Sequence, residues 1–212
     1  MKGYETLTNL PKEHYFGGWD KKDIRAFGKW FMAEKDNRLQ MLFDEIHRDP
    51  EFANWVPDFS PESLKTLSYW FERFVRTNVW SLPENEWQEL LYKKKNSMSS
   101  IEICNNKFVT SKSTSLIFDV SIYWGEVLLQ ELGDRQWEQN MKTSKNDMFY
   151  GYMIIPVIPT TKFNCPAYPW AHIRVMSCKV LYTNNFEEEG LYKFYLQKLN
   201  YFKEKLLVGE NK

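Results

Sequence analysis

Cysteine is scarce in this 212-residue chain, and the three present, Cys104, Cys165 and Cys178, are widely spaced. No CxxC pair and no Cys/His cluster accompanies them, so neither a zinc site nor a disulfide framework is implied. Reduced thiols suit the cytoplasm, where the chain is expected. Histidine is as rare: His14, His47 and His172 lack metal-ligand spacing. Neither a metal nor a cofactor is expected. Net charge is absent too, with 28 basic residues against 28 acidic ones. That balance argues against a nucleic-acid binder relying on a strong positive field. The one lysine run, Lys93–Lys95, reads as a solvated helix end rather than a phosphate contact. No apolar run reaches the roughly eighteen residues that a membrane span needs. The start, MKGYETLTNLPKEHYF, has no apolar leader region. No membrane association is expected.

The familiar catalytic signatures are missing as well. There is no G-x-x-x-x-G-K-[ST] for nucleoside phosphates, no G-x-G-x-x-G and no G-x-S-x-G. Cys165 and His172 lie near each other in sequence, but nothing in the spacing makes them a nucleophile and its base. His47 reads as a helix-end cation favouring the dipole.

Aromatics, by contrast, are abundant: 9 Trp, 12 Tyr and 15 Phe make up 17% of the chain. They bury large areas, so a compact core is feasible, and any left exposed would favour contact with another protein. The length suits a single domain over 1–212. Residues 1–19 read as a loose arm, 20–92 as a helical half and 93–114 as a polar connection. A central helix, a small sheet and a carboxy-terminal helix follow over 115–212. The fold class expected is α+β and mainly helical: amino-terminal helices and a buried central helix packed with a small, mostly antiparallel sheet.

The central stretch, Ser115–Asn140, carries Leu116, Ile117, Val120, Trp124, Val127 and Leu128 at helical spacing, with Phe118, Ile122 and Leu129 on other sides. A helix apolar nearly all round is buried on several faces. Thr114 or Ser115 is expected to cap it and Gly133 to end it. Before it, Asp20 caps a helix running to about His47, with Trp19 placed to staple onto Ile24. Its polar middle, AEKDNR, reads as a solvated face with Glu34 and Arg38 paired at i,i+4. Ser60 and Pro61 start a second helix, and Ser81–Glu84 a third, to about Tyr92. Ile101–Val109 includes a short extended segment. After the centre, Arg135–Asn140 and Met148–Ile158 read as strands. Residues 171–182 fit either helix or strand, with helix preferred. Asn185 then caps a helix to about Leu207.

Candidate functional residues are few. Asp119 and Glu126 interrupt the apolar helix on nearly one face, about 10 Å apart along its axis, with Tyr123 between them. They could form an acid pair for general acid–base work if burial raises one pKa. The simpler expectation is that each meets a basic residue or a backbone donor, with Arg135 and Arg174 as candidate partners of Glu126. Gly125 implies close approach of a ring or a backbone. Trp55 and Trp170, in proline-flanked loops, are the aromatics most suited to contacting a partner.

The run Asp58, Ser60, Pro61, Ser63, Leu64, together with Tyr123, Gly125, Glu126, Val127 and then Trp137, resembles segments of a family of small bacterial proteins. In that family a D-x-S-P-x-S-L helix start precedes a Y-x-G-E-V central helix and a tryptophan-bearing strand. The resemblance implies a bacterial cytosolic α+β domain and brings no catalytic residue with it. High aromatic content, neutral charge and the absence of catalytic motifs favour instead a non-catalytic protein-interaction domain, inhibitor-like or immunity-like, partnered by another protein. The alternative is a small hydrolase using Asp119 and Glu126 in a cleft. Oligomeric state is left open.

Overall fold

The computed structural model of the chain describes residues 4–7, 19–81, 83, 85–86, 88–89, 107–144, 147, 149–156, 166–182 and 187–210. Helix α1 (Lys21–His47) starts at Asp20, whose Oδ1 accepts the Asp23 N–H at 2.8 Å. Trp19 lies edge-on to Phe27 at 6.4 Å. Helix α2 (Ser63–Thr77) begins two residues later than its sequence suggests. Its lead-in is tight, with i→i+3 bonds from Ser63, Leu64 and Lys65 back to Ser60, Pro61 and Glu62. Ser60 still caps, its Oγ accepting the Ser63 N–H at 3.2 Å.

Helix α3 (Ser111–Leu132) is the central element, packed against α1, α2, α4 (Pro169–Tyr182) and α5 (Gly190–Glu210). It starts earlier than expected. Thr110, not Thr114 or Ser115, is the cap and accepts the Ser113 N–H at 3.1 Å. Ser113 and Ser115 are then fully buried inside the first turns. Ser113 Oγ donates to the Asn78 carbonyl at 2.6 Å, so a hydroxyl already satisfied by tertiary contact was free to sit in the helix. Gly133 ends α3 at φ 68°, a left-handed conformation for which glycine carries no Cβ penalty.

The strands are shorter than their composition suggests. β1 (Val79–Ser81) pairs antiparallel with β2 (Lys107–Val109), and β3 (Glu138–Gln139) with β4 (Met153–Ile154). Residues 149–151 turn instead of extending, and an isolated bridge joins Ile155 to Ala167. Residues 171–182 lie in α4, so the helical alternative holds there. The expected third helix is represented by helical residues at 85–86 and 88–89; Tyr92, Lys93–Lys95, Asn185 and residues 101–106 lie outside the described residues. The chain is mainly helical α+β, and one hydrophobic cluster draws on all five of these helices. Among the described residues no helix is long and apolar enough to cross a membrane.

Candidate functional site

The stripe on α1 runs Ile24, Phe27, Phe31, then Leu39, Leu42 and Ile46, all buried. Between Phe31 and Leu39 the helical repeat passes through Lys35 and Arg38, so cations occupy positions that the core demands. Helix α3 supplies their partners. Arg38 is 3% exposed and Asp119 0%. The guanidinium grips the carboxylate through two bonds, Nε to Oδ1 at 2.9 Å and Nη2 to Oδ2 at 2.7 Å. The AEKDNR segment is thus no solvated face at Arg38.

The amino-terminal arm closes this ion pair. Tyr4 donates its hydroxyl to Asp119 Oδ2 at 2.6 Å and accepts from Arg38 Nη2 at 2.7 Å. Arg38 Nη1 donates to the Glu5 carbonyl at 2.8 Å, and the Leu7 N–H to Ser115 Oγ at 2.8 Å. Residues 4–7 are therefore fastened to the core rather than loose. Burial pushes the Asp119 carboxyl up to about 6, against the pull of Arg38 and the Tyr4 hydroxyl. It remains ionised at neutral pH, and Arg38 is held charged beside it, the Asp119 contacts outweighing burial. Burial, and then the charge of Asp119, push the Tyr4 phenol well above its ordinary range.

Glu126 is held two turns further along α3, by different groups. Its Oε1 accepts from Trp137 Nε1 at 2.9 Å and pairs with Lys35 Nζ at 3.1 Å. The partner is thus Lys35, not Arg135 or Arg174. Lys35 also bonds Asp36 Oδ1 at 2.6 Å, and both side chains of the Lys35–Glu126 pair are about one-fifth exposed. Burial pulls Lys35 down, but its two carboxylate contacts more than offset this and raise its pKa. The two acids do not share a cleft: each is answered separately from α1.

Tyr123, between them in sequence, turns to α2. Its hydroxyl bonds Ser63 Oγ at 2.7 Å and accepts the Phe59 N–H at 3.2 Å. Burial lifts its phenol to about 12. Asp58 accepts the Ser60 N–H at 2.9 Å and so shapes the turn entering α2. At Gly125 a Cβ would stand 2.3 Å from Trp137 Cζ2, so glycine is what admits the indole that reaches Glu126. The two sequence motifs therefore meet in space as one clasp joining α2, α3 and the Trp137 segment, and every polar group in it has a packing role.

Trp55 and Trp170 are each 6% exposed. Trp55 Nε1 donates to the Ser63 carbonyl at 3.0 Å, and its ring lies 5.3 Å from Tyr123. Trp170 lies 5.2 Å from Phe118. Trp55 sits in a loop that folds inward, whereas Trp170 lies not in a loop but in the first turn of α4, so neither ring is offered at the surface. His47 bonds the Trp55 carbonyl at 2.7 Å through Nε2. Cys178 is half-buried and forms no disulfide among the described residues; His14, Cys104 and Cys165 lie outside them.

Trp124 is fully buried, as its spacing implies, but its neighbours come from α4 and α5: His172 at 5.8 Å, Phe194 at 6.0 Å and Tyr195 at 6.3 Å. Trp124 Nε1, His172 Nδ1 and Tyr195 Oη have no hydrogen-bond partner among the described residues. Burial, with a smaller push from Lys198, drives His172 down to about 3, so it is neutral at physiological pH.

Sequence reasoning missed Arg38, Lys35 and Tyr4. A signal existed for the first two, because the α1 stripe breaks where they stand, and an acid sat unexplained in an otherwise apolar helix. Nothing local marked Tyr4. Among the described residues, no three His, Cys, Asp or Glu side chains are grouped to hold a metal ion. Comparison of the chain with protein-family models, with curated proteins and with solved structures gave no match.

Proposed function

We propose that this chain is a non-catalytic protein-interaction domain of an inhibitor-like or immunity-like kind, acting in a bacterial cytosol and not on nucleic acid. The observation that carries this reading over a hydrolase is the enclosure of Asp119. Its two oxygens take three hydrogen bonds from Arg38 and Tyr4, and it has no exposed surface. A general acid or base must come within hydrogen-bond reach of a substrate proton, and this carboxylate has nowhere to meet one. Glu126 is likewise committed to Lys35 and Trp137. The surface, by contrast, presents large apolar side chains, among them Val56 at 65% and Met32 at 50% exposed.

The test is capture from a lysate of the source organism beside a broad hydrolase screen. A protein retained in stoichiometric amount, with no turnover above buffer, is the expected result. Turnover by the wild type that is lost in a folded Glu126→Gln variant would overturn the reading in favour of the hydrolase.

A further inference from the structure

Helix α1 opens with cations where helix electrostatics favours acids. Lys21, Lys22 and Arg25 stand in its first turns, near the positive end of the helix dipole, and all three are exposed. Two acids stand there as well: Asp20, whose Oδ1 accepts the Asp23 N–H to form the cap, and Asp23, exposed in the first turn. Lys22, Arg25 and Lys29 recur at i, i+3 and i+7, so they share one face. Arg25 and Lys29 make no ion pair among the described residues. Stability does not explain this placement.

The same face borders an open groove between α1 and the β3–β4 pair. Arg25 and Lys29 stand on its helical side, and among the described residues no carboxylate lines it. Its apolar parts are Met32, which is half exposed, and the buried rims of Trp137 and Met153. The wall is built flush, since a Cβ on Gly28 would lie 2.5 Å from Gln139 Oε1. Gln139 is itself fixed, Nε2 donating to the Ile24 carbonyl at 2.6 Å. Basic side chains thus flank an apolar floor on a groove braced from both sides.

We infer that this groove binds an acidic segment of a partner protein, carboxylates meeting Arg25 and Lys29 and an apolar side chain lying against Met32, Trp137 and Met153. The inference rests on the interaction reading above and adds the chemistry of the partner. Charge complementarity sets the sign of the occupant. The apolar floor and the balanced total of 28 basic and 28 acidic residues favour a peptide over a nucleic acid.

The probe is a short synthetic peptide of glutamate with leucine and phenylalanine, titrated into the isotope-labelled full chain by NMR. Controls are the same peptide with lysine for glutamate, the same with serine for leucine and phenylalanine, and a poly-dT oligonucleotide. The expected result is perturbation centred on the amides of Arg25, Gly28, Lys29 and Met32. Affinity should fall about ten-fold for the serine peptide, and about ten-fold in an Arg25→Glu/Lys29→Glu variant, whose exposed sites leave the fold unchanged. No perturbation, perturbation elsewhere, or equal binding of the lysine peptide, the serine peptide or the oligonucleotide overturns the proposal. Capture from lysate separates it from the reading beneath. A natural partner held equally by wild type and the double variant overturns the groove alone, whereas a wild type that retains no protein overturns the interaction reading itself.

Discussion

Helix α3 carries two buried polar clusters on different faces, and they are built by different rules. Towards α1 it presents Asp119, and every polar atom there is answered: two bonds from Arg38, one from Tyr4, and the remaining guanidinium nitrogen placed on the Glu5 carbonyl. Towards α4 and α5 it presents Trp124 beside His172 and Tyr195, and three polar atoms there have no partner among the described residues. The difference follows from the size of the penalty. An unpaired buried charge costs several kcal/mol, whereas an unpaired neutral dipole costs about 1–3 kcal/mol, which the burial of large rings can offset. Charge forces complementarity, and neutral aromatics tolerate its absence.

The comparison breaks most sharply at Arg38. Arg38→Ala leaves Asp119 enclosed without a cation and should lower unfolding free energy by about 3–5 kcal/mol in denaturant titration. Arg38→Met combined with Asp119→Leu should lose much less than Arg38→Ala, since the stranded charge is gone. A double variant as unstable as the single one would show that packing, not charge, governs this face. On the other face, Trp124→Ala should also cost about 3–5 kcal/mol, but through a cavity, so no second substitution of a charged residue will rescue it.

Acidification distinguishes the two clusters by sign. His172 titrates near 6.5 when unfolded and near 3 when folded. Its folded pKa is depressed, so the stability it contributes is complete above about 6.5 and is lost as pH falls towards 3. Asp119 runs the other way. Its folded pKa of about 6 lies above the ordinary 3.8 of a free carboxyl, so its contribution is complete below the unfolded pKa and is lost as pH rises through 6. The wild type should therefore lose stability steadily relative to His172→Phe as pH falls from 6.5 towards 3. A difference independent of pH would mean that His172 is not held neutral by burial.

Smaller effects sharpen the picture. Glu126→Ala should cost about 1–2 kcal/mol, because Lys35 keeps Asp36 and some solvent while Trp137 Nε1 loses its acceptor. Tyr195→Phe should change stability by no more than about 0.5 kcal/mol, or raise it slightly, since the hydroxyl removed has no partner among the described residues. A large loss in the thermal melt of Tyr195→Phe would place an internal water on that hydroxyl.

Much of the fold was legible because it depends on local chemistry. The Asp20 cap, the end of α1 at His47, the apolar periodicity of α3 and the close approach at Gly125 all follow from residue type and spacing. Strand lengths were not legible: Tyr150 and Tyr152 have strand-like side chains, yet residues 149–151 turn, with Gly151 at φ 87°. The aromatic content that suggested extended pairing is spent on packing, as in the stack of Phe149 on Tyr168 at 4.1 Å.

The candidate site divides in the same way. From the sequence alone it followed that Asp119 and Glu126 could not stand unanswered in so apolar a helix, and that a cation or a set of donors must meet each of them. Which groups answer was decided only by tertiary structure. Arg38 is 81 positions from Asp119 and Tyr4 is 115 positions away. No local pattern encodes such separations; they are set by how α1 crosses α3 and where the arm returns. Sequence determines that a buried charge needs a partner, because the cost of burial is a property of the residue. Packing chooses the partner, because only the folded chain brings distant residues within hydrogen-bond reach.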